Sequence, residues 1–325
     1  IHDYAEQLVY GYTYASDELL QAVLDWEKSK HQYSFDKEDI IFVEGVVPAI
    51  SLAIQAFTKE GEAVLINSPV YPPFARSVRL NDRKLVSNSL KEENGLFQID
   101  FEQLEAIFKS GKIKFFYTIP RFHYPLGHSY TEEEKRAILD LAAKYQIYIV
   151  EDDYLGDLDP KMGQTFHYLD QKDLVIYIKS FSTSIFPALR ITALILPNVL
   201  KDAFVAYKNI LDYDNNLIMQ KALSLYIDSQ LFEKNRVARL TLQEKSQDQI
   251  QKLLKSYPIS LPSYPLHDGV LLDLRNYPKI AGLKHSPLKL DFFASSYIGT
   301  CPYHFAKIPF EKLEETLNYL KTELD

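Results

Sequence analysis

Between Asp17 and Lys30 the apolar residues Leu19, Val23 and Trp26 recur at helical spacing, with Leu20 and Leu24 beside them, and the run stops before Ser34-Phe-Asp-Lys. That is the pattern of an amphipathic helix with one stripe facing a core. A different rhythm follows. Ile40-Ile-Phe-Val, Ala63-Val-Leu-Ile, Ile113-Lys-Phe-Phe-Tyr and Ile147-Tyr-Ile-Val are short, almost wholly apolar runs and predict strands buried on both faces. Between them Pro48–Lys59 and Phe101–Lys109 predict helices, and the capping box Thr131-Glu-Glu-Glu134 opens a helix that runs to Tyr145. Strands separated by helices predict an α/β fold with a mostly parallel sheet sandwiched by helices, in which ligands bind beyond the carboxyl ends of the strands.

From Asn198 the rhythm changes to long helical patterns over 199–212, 216–228 and 231–256. Gly269-Val-Leu-Leu-Asp-Leu then reads as a strand and Glu311 to Leu324 as a closing helix. This predicts a smaller α+β C-terminal domain, 201–325, behind a large domain, 1–200. The three prolines between Pro258 and Pro265 read as an inter-element loop.

With 325 residues, 46% of them hydrophobic, the chain can bury a large core. Its net charge of −8 leaves no general basic footprint, so these residues are not expected to grip a phosphate backbone. Any nucleic-acid contact is expected from a preceding DNA-binding domain, and the start Ile1-His2-Asp3, without methionine, fits a preceding segment. The single cysteine, Cys301, excludes an internal disulfide framework and reads as a packing residue in a cytoplasmic protein. No apolar run approaches the roughly 20 residues that span a bilayer.

Candidate chemistry gathers just after the predicted strands. In Glu44-Gly45-Val46-Val47-Pro48 the glycine permits a tight turn, and the backbone N–H groups of Val46 and Val47 would point at an anion, although an ordinary strand-to-helix turn has the same residues. Tyr71, in Ser68-Pro-Val-Tyr-Pro-Pro-Phe, offers a flat stacking surface or simply fills a loop. Glu151-Asp152-Asp153-Tyr154 ends an apolar strand with three acids, which is costly unless something needs them. No histidine stands at ligand spacing, so an aspartate facing a ring N–H⁺ is a better reading than a metal site. In Ile178-Lys-Ser-Phe-Ser-Thr-Ser-Ile-Phe-Pro-Ala-Leu-Arg190, the residues Ser180, Ser182 and Arg190 supply two hydroxyls and a planar cation, a set suited to a phosphate.

Taken in order, these residues resemble the fold-type I, pyridoxal-phosphate-dependent aminotransferase superfamily. "YGYTYASDELLQAVLDW", "IIFVEGVVPAISLAIQAF" and "SPVYPPF" are similar to its cystathionine β-lyase (C-S lyase) branch, while "IPRFHYPLG", "EDDY" and "YIKSFSTSIFPALRI" resemble the effector domains of MocR-type regulators. The resemblance implies that Val46 and Val47 backbone, Ser180, Ser182 and Arg190 hold the cofactor phosphate. It also implies that Tyr71 stacks on the pyridine ring, Asp152 pairs with the ring nitrogen, and Tyr154 reaches the ring hydroxyl. Tyr124 stands where many members carry the asparagine of an Asn-Pro-Thr-Gly motif.

The Schiff-base lysine has two registers. In the ungapped one Thr183 occupies its position, with Arg190 seven residues on, as in the family. In the other, Lys179-Ser-Phe-Ser lies on the Lys-Thr-Phe-Asn of the C-S lyases at the cost of an insertion. Four extended residues span up to roughly 13 Å, so Lys179 cannot simply replace residue 183 unless the chain turns sharply. The family's C-terminal arginine for the substrate carboxylate is also missing, where this chain reads Pro302-Tyr-His-Phe-Ala306. The resemblance therefore implies a homodimer with either of two functions. One is a degenerate ligand- or cofactor-sensing module for a small amino-acid-like compound. The other is an active aminotransferase or C-S β-lyase using Lys179.

Overall fold

The computed structural model describes residues 15–31, 35–93, 96–159, 161, 163–185, 187–211, 215–257, 261–274, 291–293 and 305–324. In chain order the first unit runs α1 (Asp17–His31), β1 (Ile40–Val43), α2 (Val46–Phe57), β2 (Ala63–Ser68), α3 (Pro72–Leu80), β3 (Lys84–Ser89), β4 (Lys91–Glu93), β5 (Leu96–Gln98) and α4 (Phe101–Lys109). It continues with β6 (Ile113–Thr118), α5 (Glu132–Tyr145), β7 (Tyr148–Asp153), α6 (Phe166–Leu169), β8 (Val175–Ser180), α7 (Phe181–Ser184) and β9 (Thr192–Ile195). Then come α8 (Lys201–Leu211), α9 (Leu217–Asp228), α10 (Leu231–Ser256), β10 (Ser263–Leu266), β11 (Gly269–Asp273), β12 (Asp291–Phe293), β13 (Phe305–Pro309) and α11 (Leu313–Leu324).

Seven strands form one sheet in the order β1-β9-β8-β7-β6-β2-β3, and within it β9 alone runs against its neighbours. Helices cover both faces. Alternate strand residues point to opposite sides, so Tyr117, Val150, Ile176 and Ile178 pack under α2, α3 and α8, whereas Tyr177, Ala193 and Ile195 pack under α1 and α9. The same alternation puts Ser180 on the α2 side of β8 and Lys179 on the α1 side. A second, antiparallel sheet, β10-β11-β13-β12, packs on Ile250 of α10 and on Leu313, Leu317 and Leu320 of α11.

Differences from the expected elements have local causes. α2 begins at Val46, which leaves Pro48 in the first turn, where a missing N–H costs nothing. β7 runs on through all three acids because each finds a use, as described below. Pro265, expected in a loop, lies in β10, an edge strand that tolerates a residue without an N–H. Leu223, Ile227 and Phe232 pack with the first sheet, and Ile250 packs with the second.

Candidate functional site

At the carboxyl end of β1, Gly45 adopts φ +103° and caps α2 without a side chain, and the first turn of α2 holds no acid. The N–H groups of Val46 and Val47 are therefore left for an outside acceptor. Across this turn lies Arg190. Its backbone is left-handed at φ +55°, Asn215 holds its carbonyl at 2.9 Å, and its Nη2 donates to the Glu44 carbonyl at 2.9 Å. A Cβ on Gly45 would stand 3.2 Å from the Arg190 Cζ at a φ that side-chain-bearing residues rarely adopt, so glycine favours the close approach of the guanidinium to the helix end. An arginine held at positive φ at a helix N-terminus points to a site that binds an anion.

The three acids of β7 do three different things. Glu151 accepts from the N–H groups of Phe166 at 3.0 Å and His167 at 2.9 Å, and burial, with Asp153 behind it, pushes its carboxyl up to about 8. Asp153 is paired with the buried Arg121, whose Nε donates at 2.8 Å, and Tyr177 donates to it at 2.7 Å. Asp152 lies on the other face, with Ile178 its partner on β8. Its Oδ2 accepts from Tyr117 at 2.6 Å, and Tyr117 in turn stacks on Phe74 at 3.7 Å. Its Oδ1 is buried with no hydrogen-bond partner among the described residues. Burial pushes this carboxyl up to about 7, against the Tyr117 hydrogen bond.

Tyr71 links these two places. Burial raises its phenol, Asp152 raises it further and Arg190 opposes. Tyr124 meets Tyr71 edge to face at 5.8 Å. The Oγ atoms of Ser180 and Ser182 are buried without partners among the described residues. Tyr154, whose hydroxyl donates to the Phe122 carbonyl at 3.1 Å, lines a cavity of about 320 Å³ together with Tyr124, Thr183, Arg239, Asp268 and Lys307.

Lys179 faces the other way. Its Nζ is buried on the α1 side, 2.9 Å from Glu27 Oε1 and 2.8 Å from Asp157 Oδ1, and these carboxylates raise its pKa against burial, the largest influence. Asp157 is held in addition by Trp26 Nε1 at 3.2 Å and Ser184 Oγ at 2.8 Å, and Glu27 by the Tyr168 hydroxyl. This cluster ties α1 to β8 and to the α7 turn that carries Thr183.

Of the residues singled out in the sequence, Arg190 lies at the α2 N-terminus, and Tyr71 forms an electrostatic group with it and with Asp152. Tyr124 joins that group to Tyr154 and Thr183 on the cavity, and Lys179 stands behind the sheet. Cys301 and Pro302 lie outside the described residues. Tyr117, Arg239 and Lys307 are additions of the structure. Arg239 had one sequence signal: no acid stands three or four residues away on its helix, unlike Arg236, which pairs with Glu233.

The model of the aminotransferase class I and II family matches residues 2–262. The uncharacterized HTH-type transcriptional regulator YcxD of Bacillus subtilis (strain 168) is 37% identical over 203 residues, 62% of this chain and 45% of that protein. Cystathionine beta-lyase PatB of the same organism is 34% identical over 46% of this chain and 38% of its own length, so the chain spans less than half of either relative. Among solved structures, cystalysin from Treponema denticola, which contains a pyridoxal 5′-phosphate cofactor, superposes with a TM-score of 0.86 at 21% identity over 99% of this chain and 84% of its own. The chain belongs to the class I and II aminotransferase family, as an aminotransferase-like domain related to HTH-type regulators and C-S lyases.

Proposed function

We propose that this chain is the effector unit of an HTH-type regulator, a domain that holds pyridoxal phosphate and an amino-acid-like ligand without a covalent tether and works as a homodimer. The observation that carries this reading is the placement of Thr183 on the cavity and of Lys179 behind the sheet, closed between two carboxylates. For Lys179 to act as the Schiff-base amine, its Nζ would have to leave both carboxylates and cross a sheet packed on both sides.

The residues fit the cofactor. The α2 N-terminus and Arg190 suit its phosphate, and the partnerless hydroxyls of Ser180 and Ser182 supply donors for it. The partnerless Oδ1 of Asp152 suits a protonated ring nitrogen, and Tyr117 fixes that carboxylate from behind. Tyr71, on the same group, supplies the stacking face. Bound there, pyridoxal phosphate supplies an electrophilic aldehyde carbon and, through its protonated ring, an electron sink. Asp152 keeps the ring proton in place and Arg190 neutralises the phosphate, while Thr183 offers a hydroxyl that cannot form an imine.

Thr183→Lys tests this reading. The variant is expected to carry cofactor that borohydride attaches permanently at residue 183, while the parent binds cofactor reversibly and loses it on dialysis. A parent that already retains cofactor after reduction, with the attachment mapped to Lys179, overturns the proposal in favour of an enzyme.

A further inference from the structure

The cavity beside Thr183 has a cationic wall that the cofactor contacts leave unused. From α10 comes Arg239, whose Nη1 donates to the backbone carbonyls of Thr183 at 2.7 Å and Ser184 at 2.6 Å. Two such bonds use both Nη1 hydrogens and leave Nε–H and the Nη2 pair, the side-on edge whose spacing matches a carboxylate. Among the described residues no carboxylate lies within ion-pair distance of this guanidinium. It is half-buried, and burial lowers its pKa with only Tyr226 opposing.

Lys307 of β13 joins the same wall. Its Nζ is 2.7 Å from Asp268 and 5.5 Å from the centroid of the Tyr124 ring. Asp268 is 45% exposed, and the neighbouring His267 has its pKa lowered by burial, which favours the neutral imidazole. The wall thus sets two cations against one half-exposed carboxylate. A partly desolvated guanidinium, fixed by two carbonyls and without a counter-charge among the described residues, is costly until an anion answers it.

We propose that Arg239, with Lys307 beside it, is the site for the ligand's carboxylate, in place of the family arginine missing at position 302. The inference rests on the cofactor reading above and narrows it. Arg190, beyond Tyr71 at the α2 end, answers the phosphate, and Arg239, at the backbone of residue 183, answers a second anion at the far end of the ligand. A planar fork with one edge already committed favours a carboxylate over a second phosphate. The ligand class is therefore an α-amino or α-keto acid whose reacting end lies at Thr183.

Two stable probes decide this, the reduced adducts N-(5′-phosphopyridoxyl)-L-alanine and N-(5′-phosphopyridoxyl)ethylamine, which differ only in the carboxylate. Isothermal titration of the dimer should give about tenfold or greater preference for the alanine adduct, the range of a charge-assisted hydrogen-bond pair. In Arg239→Gln the preference should fall to within about twofold, and in Lys307→Met to an intermediate value. If Arg239→Gln fails to fold by circular dichroism, the Lys307→Met ratio decides. A parent that binds both adducts equally, or a preference untouched by either substitution, overturns the carboxylate site and leaves the cofactor reading standing. Failure of both adducts to bind at millimolar concentration overturns the cofactor reading and this inference with it.

Discussion

Replacing Lys179 by methionine separates a structural lysine from a reactive one. The side chain is closed between Glu27, fully buried, and Asp157, 4% exposed, at 2.9 and 2.8 Å. At an effective dielectric of 20 each pair is worth about 6 kcal/mol gross, most of it offset by desolvation of the three groups. Removing the cation leaves two buried carboxylates, a change that typically costs about 3–5 kcal/mol. Trp26, Ser184 and Tyr168 continue to donate to those carboxylates, which sets the expectation at about 3 kcal/mol. The raised pKa of Lys179 fixes the pH window. Its contribution is complete below the unfolded lysine pKa of about 10.4 and is lost only above it, so in the parent the lysine contributes fully at both pH 6 and pH 8. Urea denaturation of parent and variant measures it, and adding Asp157→Asn should recover part of the loss, because one stranded charge is then gone. The folded fraction of Lys179→Met should still bind pyridoxal phosphate. A variant as stable as the parent but unable to retain cofactor would refute the argument.

Asp152→Asn should behave in the opposite sense. The folded carboxyl stands at about 7 against an ordinary 3.8, so ionising it costs the fold stability as pH rises from about 4 through about 7. The variant should therefore be about 4 kcal/mol more stable than the parent at pH 8 and close to it at pH 4, while losing about tenfold or more in cofactor affinity; pH-dependent urea melts and titration check both. Gly45→Ala places a Cβ 3.2 Å from Arg190 Cζ at φ +103°, and should cost about 1–3 kcal/mol. The stabilisation that added inorganic phosphate gives the parent in thermal melts should weaken in this variant.

The central strands were legible because burial on both faces writes them as continuous apolar runs, as in Ile40–Val43 and Ile113–Thr118. β3 was not: Lys84-Leu-Val-Ser-Asn-Ser lies at the sheet edge, and four of its six residues are polar. α3 was hidden by Pro72-Pro73, which read as loop but fill the first turn of a helix. At the site, residue types pointed to phosphate and ring contacts, yet the lysine register could not be settled by counting, since an insertion reverses the face on which a strand residue lies. The pairing of Lys179 with Asp153 and of Ile178 with Asp152 places the lysine on the α1 side. Arg239 and Lys307 were out of reach for another reason. Their sequence separation from Thr183 is large, and only the approach of α10 and β13 brings them to its cavity.

The two faces of the sheet differ in how their charges are answered, and the difference bears on what the protein holds. On the α1 side, Lys179 has two carboxylates, Arg121 has Asp153, and Glu151 has two backbone donors. On the α2 side, Asp152 Oδ1 and the Ser180 and Ser182 hydroxyls lack partners, while Arg190 meets one carbonyl and Arg239, at the adjoining cavity, meets two. A buried polar group without a partner costs about 1–3 kcal/mol, and a domain is stable by only about 5–15 kcal/mol in all. Several such groups in one place are a burden that apolar side chains would remove, unless a ligand supplies the missing partners. The charges describe that ligand: two arginines held by carbonyls call for two anionic groups, and one buried aspartate calls for one cationic ring nitrogen. Pyridoxal phosphate carrying an amino acid has all three. On the function proposed above, Thr183 would remove the covalent bond from this arrangement and leave the polar contacts in place, as a reversible sensor requires.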